Sequence, residues 1–243
     1  MLRVSIIIPT LNEASCLPRT LRYLRLLNPQ PQEIIVVDSQ SEDETVSIAL
    51  AAGIEVVSCP TRRRSVQMNY GAKIATGDVF CFVHADTLVP DDLISIIRQT
   101  LNYSNIVGGG FISVMMGTQT TRWGTSLHNL LKTYYAPLLF RPHLFLRGLR
   151  VLFGDQVIFC RRLGFWDCGG FDPNLPIMED ADLCLKLVQY GRIHLVNRMV
   201  YTSDRRLLRW GAFKANLIYL YIGLLWGMGV SADKLQQWYQ DIR

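Results

Sequence analysis

Four short apolar runs rich in β-branched residues restrict what this chain can fold into. Each ends in polar or acidic residues, and each is followed by a helical pattern. Residues 4–8 read VSIII and close on Pro9, residues 33–38 read EIIVVD, and residues 54–58 and 79–83 supply the third and fourth runs. Such runs lack the alternation of a half-exposed strand and read as strands buried on both faces, as in a parallel sheet. Between them, Asn12, Glu13, Leu17, Leu21, Leu24 and Leu27 fit a helix, and Ser41 with Glu44 has capping-box spacing ahead of a helix over 45–52. Residues 66–76 and about 90–101 are predicted helical as well. This alternation predicts a doubly wound, mostly parallel α/β layer over residues 1–100. Its polar residues cluster just past strand ends, at Thr10–Glu13, Asp38–Asp43 and Asp86. Open α/β sheets bind ligands outside the carboxyl ends of their strands, so a site is expected there on geometry alone.

The second half is less regular. Gly108-Gly109-Gly110 suggests a bend into a strand (FISVMM), and residues 123–153 form a long apolar stretch punctuated by arginines. VIFC (157–160) is a further strand, and Glu179-Asp180-Ala181-Asp182 opens a helix near 183–190. Composition bounds the function. At 49% hydrophobic and 19% charged residues, the 243-residue chain is neither disordered nor fibrous. Arginine makes up 20 of the 25 basic residues; its planar fork holds phosphate and carboxylate in two-point contacts, although a codon preference gives the same bias. The net charge of +5 is modest and the aromatic-basic stretch too apolar for a nucleic-acid surface, so no nucleic-acid partner is expected. Six scattered cysteines with no C-x-x-C pair predict buried thiols in a reducing compartment rather than disulfides or a zinc site. The N-terminal apolar run is too short for a signal peptide, so secretion is not expected. No G-x-G-x-x-G follows the first strand, which argues against a dinucleotide dehydrogenase.

Seven motifs occur in order: IIIPTLNE (6–13), VVDSQSEDET (36–45), RRSVQMNYGA (63–72), HADT (84–87), GDQVIF (154–159), GGFD (169–172) and EDADLCLKL (179–187). Over residues 4–206 the chain resembles the family 2 glycosyltransferases of the GT-A fold. It looks closest to a small bacterial subgroup with His-Ala-Asp where others carry Asp-x-Asp. The resemblance implies an α/β GT-A domain over 1–206, a mostly parallel sheet flanked by helices. A nucleotide-binding half (1–100) and an acceptor half (101–206) would be followed by apolar helices over 207–243. It also implies inverting transfer of a sugar from a UDP-, GDP- or dTDP-sugar to a hydroxyl acceptor, with Mn2+ or Mg2+.

By the same resemblance, Pro9, Thr10, Glu13 and Asp38 line the nucleotide pocket. Asn12 joins them or caps the following helix, and Asp38 otherwise stabilises its turn. Ser41 and Asp43 read as turn and cap residues. Asp86 is the metal ligand, since divalent cations at diphosphates are held by one or two carboxylates with phosphate oxygens completing the shell. His84 assists it or only supports the loop. Arg64 is the expected donor contact, with Gln67 and Asn69 packed against the donor, whereas Arg62 and Arg63 read as a solvated loop. Asp180, paired with Glu179, matches the family's base at the acceptor side; adjacent carboxylates raise at least one pKa, although both also suit a helix first turn. Asp182 lies beside them as a further candidate. Asp155 and Gln156 would touch sugar or acceptor, and Arg205 and Arg206 would meet the leaving diphosphate or form interfacial charge.

Residues 215–232 carry no charge but include glycines, Asn216 and aromatic residues, and basic residues precede them. They are short for a membrane span. A helix lying on the membrane, one packed in the domain or a homo-oligomer, and a true span all remain open. With 132–153 as a second contact, the expectation is a cytoplasmic protein peripheral on the inner face of the cell membrane. Its acceptor would be lipid-linked or membrane-derived. The competing readings are a sugar-phosphate nucleotidyltransferase, which would want a Gly-rich basic loop after the first strand, and an inactive nucleotide-sugar-binding protein, hinted at by His84.

Overall fold

The four β-branched runs become β1 (Val4–Thr10), β2 (Glu33–Asp38), β3 (Glu55–Ser58) and β4 (Val79–Phe82), mutually parallel in the order β3-β2-β1-β4. The computed structural model describes residues 1–117, 120–205 and 211–240. Every residue of β1 and β4 is buried, as the unbroken apolar runs require. Ile6 and Ile8 face one side, where Leu17, Leu21 and Leu24 of α1 (Leu17–Leu24) and Leu93, Ile94 and Ile97 of α4 (Leu93–Thr100) pack. Ile7 faces the other, against Met68 and Ala72 of α3 (Arg64–Ile74). The helix α2 (Thr45–Ala51) precedes the edge strand β3.

The sheet continues through β7 (Phe159–Arg161), β6 (Ile106–Met116), β8 (Arg192–Ser203) and the two-residue β5 (Thr87–Leu88), giving eight strands ordered β3-β2-β1-β4-β7-β6-β8-β5. β7 runs antiparallel to both neighbours, β6 and β8 are parallel, and β5 is antiparallel to β8. The remaining described helices are α5 (Trp123–Phe140), α6 (Pro142–Arg147), α7 (Arg162–Asp167), α8 (Glu179–Leu187), α9 (Ala212–Gly227) and α10 (Ala232–Gln240).

Three local expectations change. Gly108, Gly109 and Gly110 are not a bend but part of β6. A Cβ on Gly108 would stand 2.5 Å from the Phe159 carbonyl oxygen, and one on Gly109 would reach the Phe159 ring at 2.9 Å. These glycines let neighbouring strands approach closely. The capping box at Ser41 and Glu44 does not form: Glu44 starts α2 without a side-chain cap, and Ser41 turns back to Asp38 instead. The first helix begins at Leu17 rather than Asn12, because Asn12 sits at φ 56°, outside helical space.

The apolar C-terminal stretch forms α9, which ends before Gly229 in the left-handed region. Asn216 Nδ2 donates to Thr125 Oγ1 of α5 at 2.9 Å, and Ile222 joins Ile177 and Leu235 in a small satellite core. Among the described residues no helix is long and apolar enough to cross a membrane. The expected boundary at 206–207 lies outside the described residues.

Candidate active site

The carboxyl ends of β1 and β4 open into a cleft of about 550 Å³. Pro9 and Glu13 reach it from the β1 loop, His84 and Asp86 from the β4 loop, and Arg64 from the first turn of α3. Asp155 comes from a 3-10 turn (Gly154–Gln156), Glu179 and Asp180 from the first turn of α8, and Arg205 from beyond β8. Nine of the residues expected at a site therefore share one cavity, as strand-end geometry requires.

Two arginines organise its charges. Arg64 Nε donates to Glu179 Oε1 at 2.7 Å, with Nη2 making a second close contact to the same oxygen. Its Nη2 also lies 3.2 Å from Asp180 Oδ2, and its Nη1 lies 3.2 Å from His84 Nε2. The Gly154 N–H donates to Asp180 Oδ2 at 2.8 Å. Both acids are buried. Burial pushes the Asp180 carboxyl up to about 7; Arg64 opposes this, and neighbouring Glu179 adds to it. The pair is thus divided, with Glu179 bound by two guanidinium nitrogens and Asp180 held close to neutrality, where a proton acceptor works best.

Gly154 is the hinge of this arrangement. A methyl there would run into the His84 ring and stand 3.1 Å from Asp180 Oδ2. Gly154→Ala is therefore expected to displace the acid and, should Asp180 serve as the proton acceptor, to lower kcat by on the order of 10²-fold, the cost of misplacing a reacting group by about 1 Å. A steady-state assay together with a melting curve separates this from unfolding.

The second arginine, Arg205, sends Nη2 to Glu13 Oε2 at 2.8 Å and to Asp86 Oδ2 at 3.0 Å. Burial works against its charge, but Asp86 and Glu13 outweigh that and raise its pKa. Among the described residues no cluster of three or more His, Cys, Asp or Glu side chains is placed to hold a metal. Glu13 and Asp86 nevertheless already converge on one positive group. Two carboxylates seating a cation, with phosphate oxygens to complete its shell, are what Mg2+ or Mn2+ needs at a diphosphate. The donor set fits such a cation. His84 Nε2 stands with Arg64 in the acid cluster instead.

Other expected site residues act as braces. Asp38 accepts from Thr10 Oγ1 (3.0 Å), Ser41 N (2.9 Å) and Ser41 Oγ (2.5 Å). Asn12 accepts from Glu42 N at 2.8 Å, tying two strand-end loops together rather than capping α1. Gln67 Nε2 donates to the Thr10 and Val37 carbonyls, Asn69 makes a paired contact with the Phe171 backbone, and Gln156 Nε2 bonds Phe111 O and Thr133 Oγ1. None of these six lines the cleft. Arg206 lies outside the described residues.

Sequence reasoning missed the wall supplied by α5. Thr125, Ser126, Asn129, Lys132 and Thr133 form a buried polar stripe, while Leu127, Leu131, Leu138 and Leu139 are exposed. Asn129 Nδ2 and Ser113 Oγ donate to Asp155 Oδ2 at 3.0 and 2.7 Å. Lys132 Nζ lies 3.6 Å from the Phe153 ring centroid, and burial pushes its ammonium down to about 8 against the pull of Asp155. The signal was present as polar residues at helical spacing.

Comparison with known proteins gives a consistent result. The profile described as "Glycosyl transferase family 2" matches residues 5–162. The chain is 34% identical over 99 residues to a glucosyl-3-phosphoglycerate synthase of Mycolicibacterium smegmatis, a match covering 37% of this chain and 33% of that relative. It spans about a third of that protein's length. In fold it is similar to the glucosyl-3-phosphoglycerate synthase of Mycobacterium tuberculosis crystallised with Mn2+, UDP and phosphoglyceric acid (TM-score 0.65, 22% identity, covering 94% of this chain and 79% of that one). It is also similar to a mannosyltransferase from Pyrobaculum calidifontis in complex with GDP-Man and Mn2+ (TM-score 0.66, 18% identity, 89% and 62%).

Proposed function

The chain belongs to glycosyl transferase family 2, and we propose that it transfers a sugar, with inversion, from a nucleotide-diphospho-sugar to a hydroxyl acceptor. The observation that carries this reading is the division of the cleft into two arginine–carboxylate clusters, Arg205 with Glu13 and Asp86, and Arg64 with Glu179 and Asp180. The first suits the charged diphosphate and the second the proton released by the acceptor.

In this mechanism Asp180 takes the proton of the acceptor hydroxyl as its oxygen bonds to the anomeric carbon. The bond from that carbon to the diphosphate breaks on the opposite face. Arg205 meets the negative charge that develops on the leaving nucleoside diphosphate. Glu13 and Asp86 would hold a divalent cation, Mn2+ or Mg2+, which when bound neutralises the diphosphate. Arg64 holds Glu179 and Asp180 in place. The loop after β1, PTLNE, is not the Gly-rich basic loop a sugar-phosphate nucleotidyltransferase would need.

Thermal shift against UDP-, GDP- and dTDP-sugars, with and without Mn2+, tests the donor side. Ligand at 100 times its Kd adds about 2.7 kcal/mol. For a domain of this size that is on the order of 5–10 °C. One nucleotide class is expected to give such a shift with Mn2+; a flat response to all three would overturn the reading. Turnover of the bound donor then separates an enzyme from an inactive binder.

The acceptor side carries the membrane reading. Leu127, Leu131, Leu138 and Leu139 of α5 and Leu146 of α6 are exposed beside exposed Arg141 and Arg147, and α9 exposes Phe213, Leu217 and Tyr221 beside Lys214. A face of apolar residues with basic neighbours suits an anionic bilayer surface, here the inner face of the cell membrane, and a lipid-linked acceptor. The protein is expected to float with phosphatidylglycerol vesicles at low salt, and Leu131→Asp with Leu138→Asp to abolish flotation. Failure to float, with a dimer in light scattering, would make this face a contact between copies instead.

A further inference from the structure

Lys132 has no task in the chemistry above, yet it occupies an expensive position. It lies on the inward stripe of α5, only 8% exposed, and lines the cleft with Asn129, Phe153, Asp155 and Tyr219. Among the described residues it makes no hydrogen bond and no ion pair within 4 Å; its recorded neighbours are the rings of Phe153 and Tyr219, at 3.6 and 5.9 Å from Nζ. Asp155 pulls on it from beyond ion-pair distance, with one of its oxygens already taken by Ser113 and Asn129. A buried ammonium without an oxygen partner is costly. At this position a methionine would fill the same space without that cost.

The position within the cleft is also defined. Phe153 and Asp155 flank Gly154, whose N–H binds Asp180, so Lys132 contacts the segment that carries the proton-accepting cluster. A cation walled by aromatic rings acts in a lowered dielectric, where its attraction for an anion is strengthened.

We propose that Lys132 binds an anionic group, a carboxylate or a phosphate, on the acceptor, so that the acceptor is a hydroxyl compound bearing negative charge close to the reacting oxygen. This rests on the reading of the cleft as a site of glycosyl transfer. Asn129 positions Asp155, which accepts hydrogen bonds and so can orient the acceptor's hydroxyl groups while Lys132 holds its charge. The same chemistry could be presented by a soluble acid or by the phosphate of a lipid.

Matched pairs of probes test it on the full-length protein saturated with the nucleotide and Mn2+. Glycerate against glycerol serves for the soluble case, and farnesyl phosphate against farnesol in detergent for the lipid case. In at least one pair the anionic member is expected to bind the wild type 10-fold or more tightly than its neutral partner, and which pair responds identifies the source. Lys132→Met should erase that preference and Lys132→Arg retain part of it. With no ligand added, Lys132→Met is expected to melt no lower than wild type, since it removes a buried charge. The proposal is overturned if neither pair is distinguished by the wild type, if Lys132→Met keeps the preference, or if Lys132→Met melts markedly lower. Nucleotide binding, measured in parallel, should be the same in wild type and Lys132→Met; its loss in both would mean that the transfer reading has failed, not the anion site.

Discussion

Asp180→Asn is expected to lower glycosyl transfer by about 10²–10⁴-fold, the usual contribution of a positioned general base, while nucleotide binding stays within about twofold. Asparagine keeps the shape, and its carbonyl oxygen can still accept the Gly154 N–H that now reaches Oδ2 at 2.8 Å. It cannot take a proton. Burial raises the Asp180 carboxyl, so its basic form is lost as pH falls through about 7. Wild-type kcat/KM should therefore fall tenfold per pH unit below that point. The same shift works against stability. Because the folded-state pKa lies above the unfolded one, the native state binds the extra proton between them, and stability declines as pH rises across that interval. Asp180→Asn should thus melt as high as wild type, or higher, at pH 8 while being inactive. A variant that melts lower but turns over normally on the true acceptor would assign the base elsewhere.

That expectation depends on geometry only partly legible in the sequence. The strands β1, β2 and β4 were readable because parallel strands buried on both faces must be largely apolar, and the polar residues after β1, β2 and β4 marked the cleft; β3 is an edge strand with no fully buried residue and was legible only from its place in the strand–helix alternation. Motif order pointed to Glu13, Arg64, Asp86, Asp155 and Asp180 at that cleft, and Arg205, outside the motifs, was expected either at the diphosphate or as interfacial charge; none of this gave the direction each side chain takes. Gln67 and Asn69 sit in a motif expected to face the donor, yet their amides are spent on backbone groups of Thr10, Val37 and Phe171. The glycines of β6 misled for a different reason, since the close approach that demands them comes from Phe159 and His194, far along the chain. Lys132 was hidden by its surroundings. In a stretch dominated by leucine and aromatic residues, and read over 132–153 as a membrane contact, nothing singled out this lysine, whereas α5 buries its polar stripe and exposes its leucines.

The second large effect concerns Asp86. Asp86→Asn is expected to remove the Mn2+-dependent part of nucleotide-sugar binding and to weaken metal affinity by at least about 10²-fold, since loss of even an outer partner of a metal ligand costs 10–100-fold. Chelation of the metal should give wild type the same phenotype and leave Asp86→Asn unchanged. Arg205 makes the prediction sharper. Its Nη2 spans Glu13 and Asp86, the two oxygens that would seat a cation, so guanidinium and metal compete for one place. Arg205→Ala should consequently bind Mn2+ more tightly in the absence of nucleotide. It should still lose about 10²–10³-fold in kcat, the effect of removing one group that stabilises developing negative charge. Opposite changes in metal affinity from two neighbouring substitutions, with transfer impaired in both, would be hard to obtain from general destabilisation. If Asp86→Asn retains its response to Mn2+, the cation sits elsewhere, and Arg205 is then a permanent counter-charge for Glu13 and Asp86 rather than a group that yields to the metal.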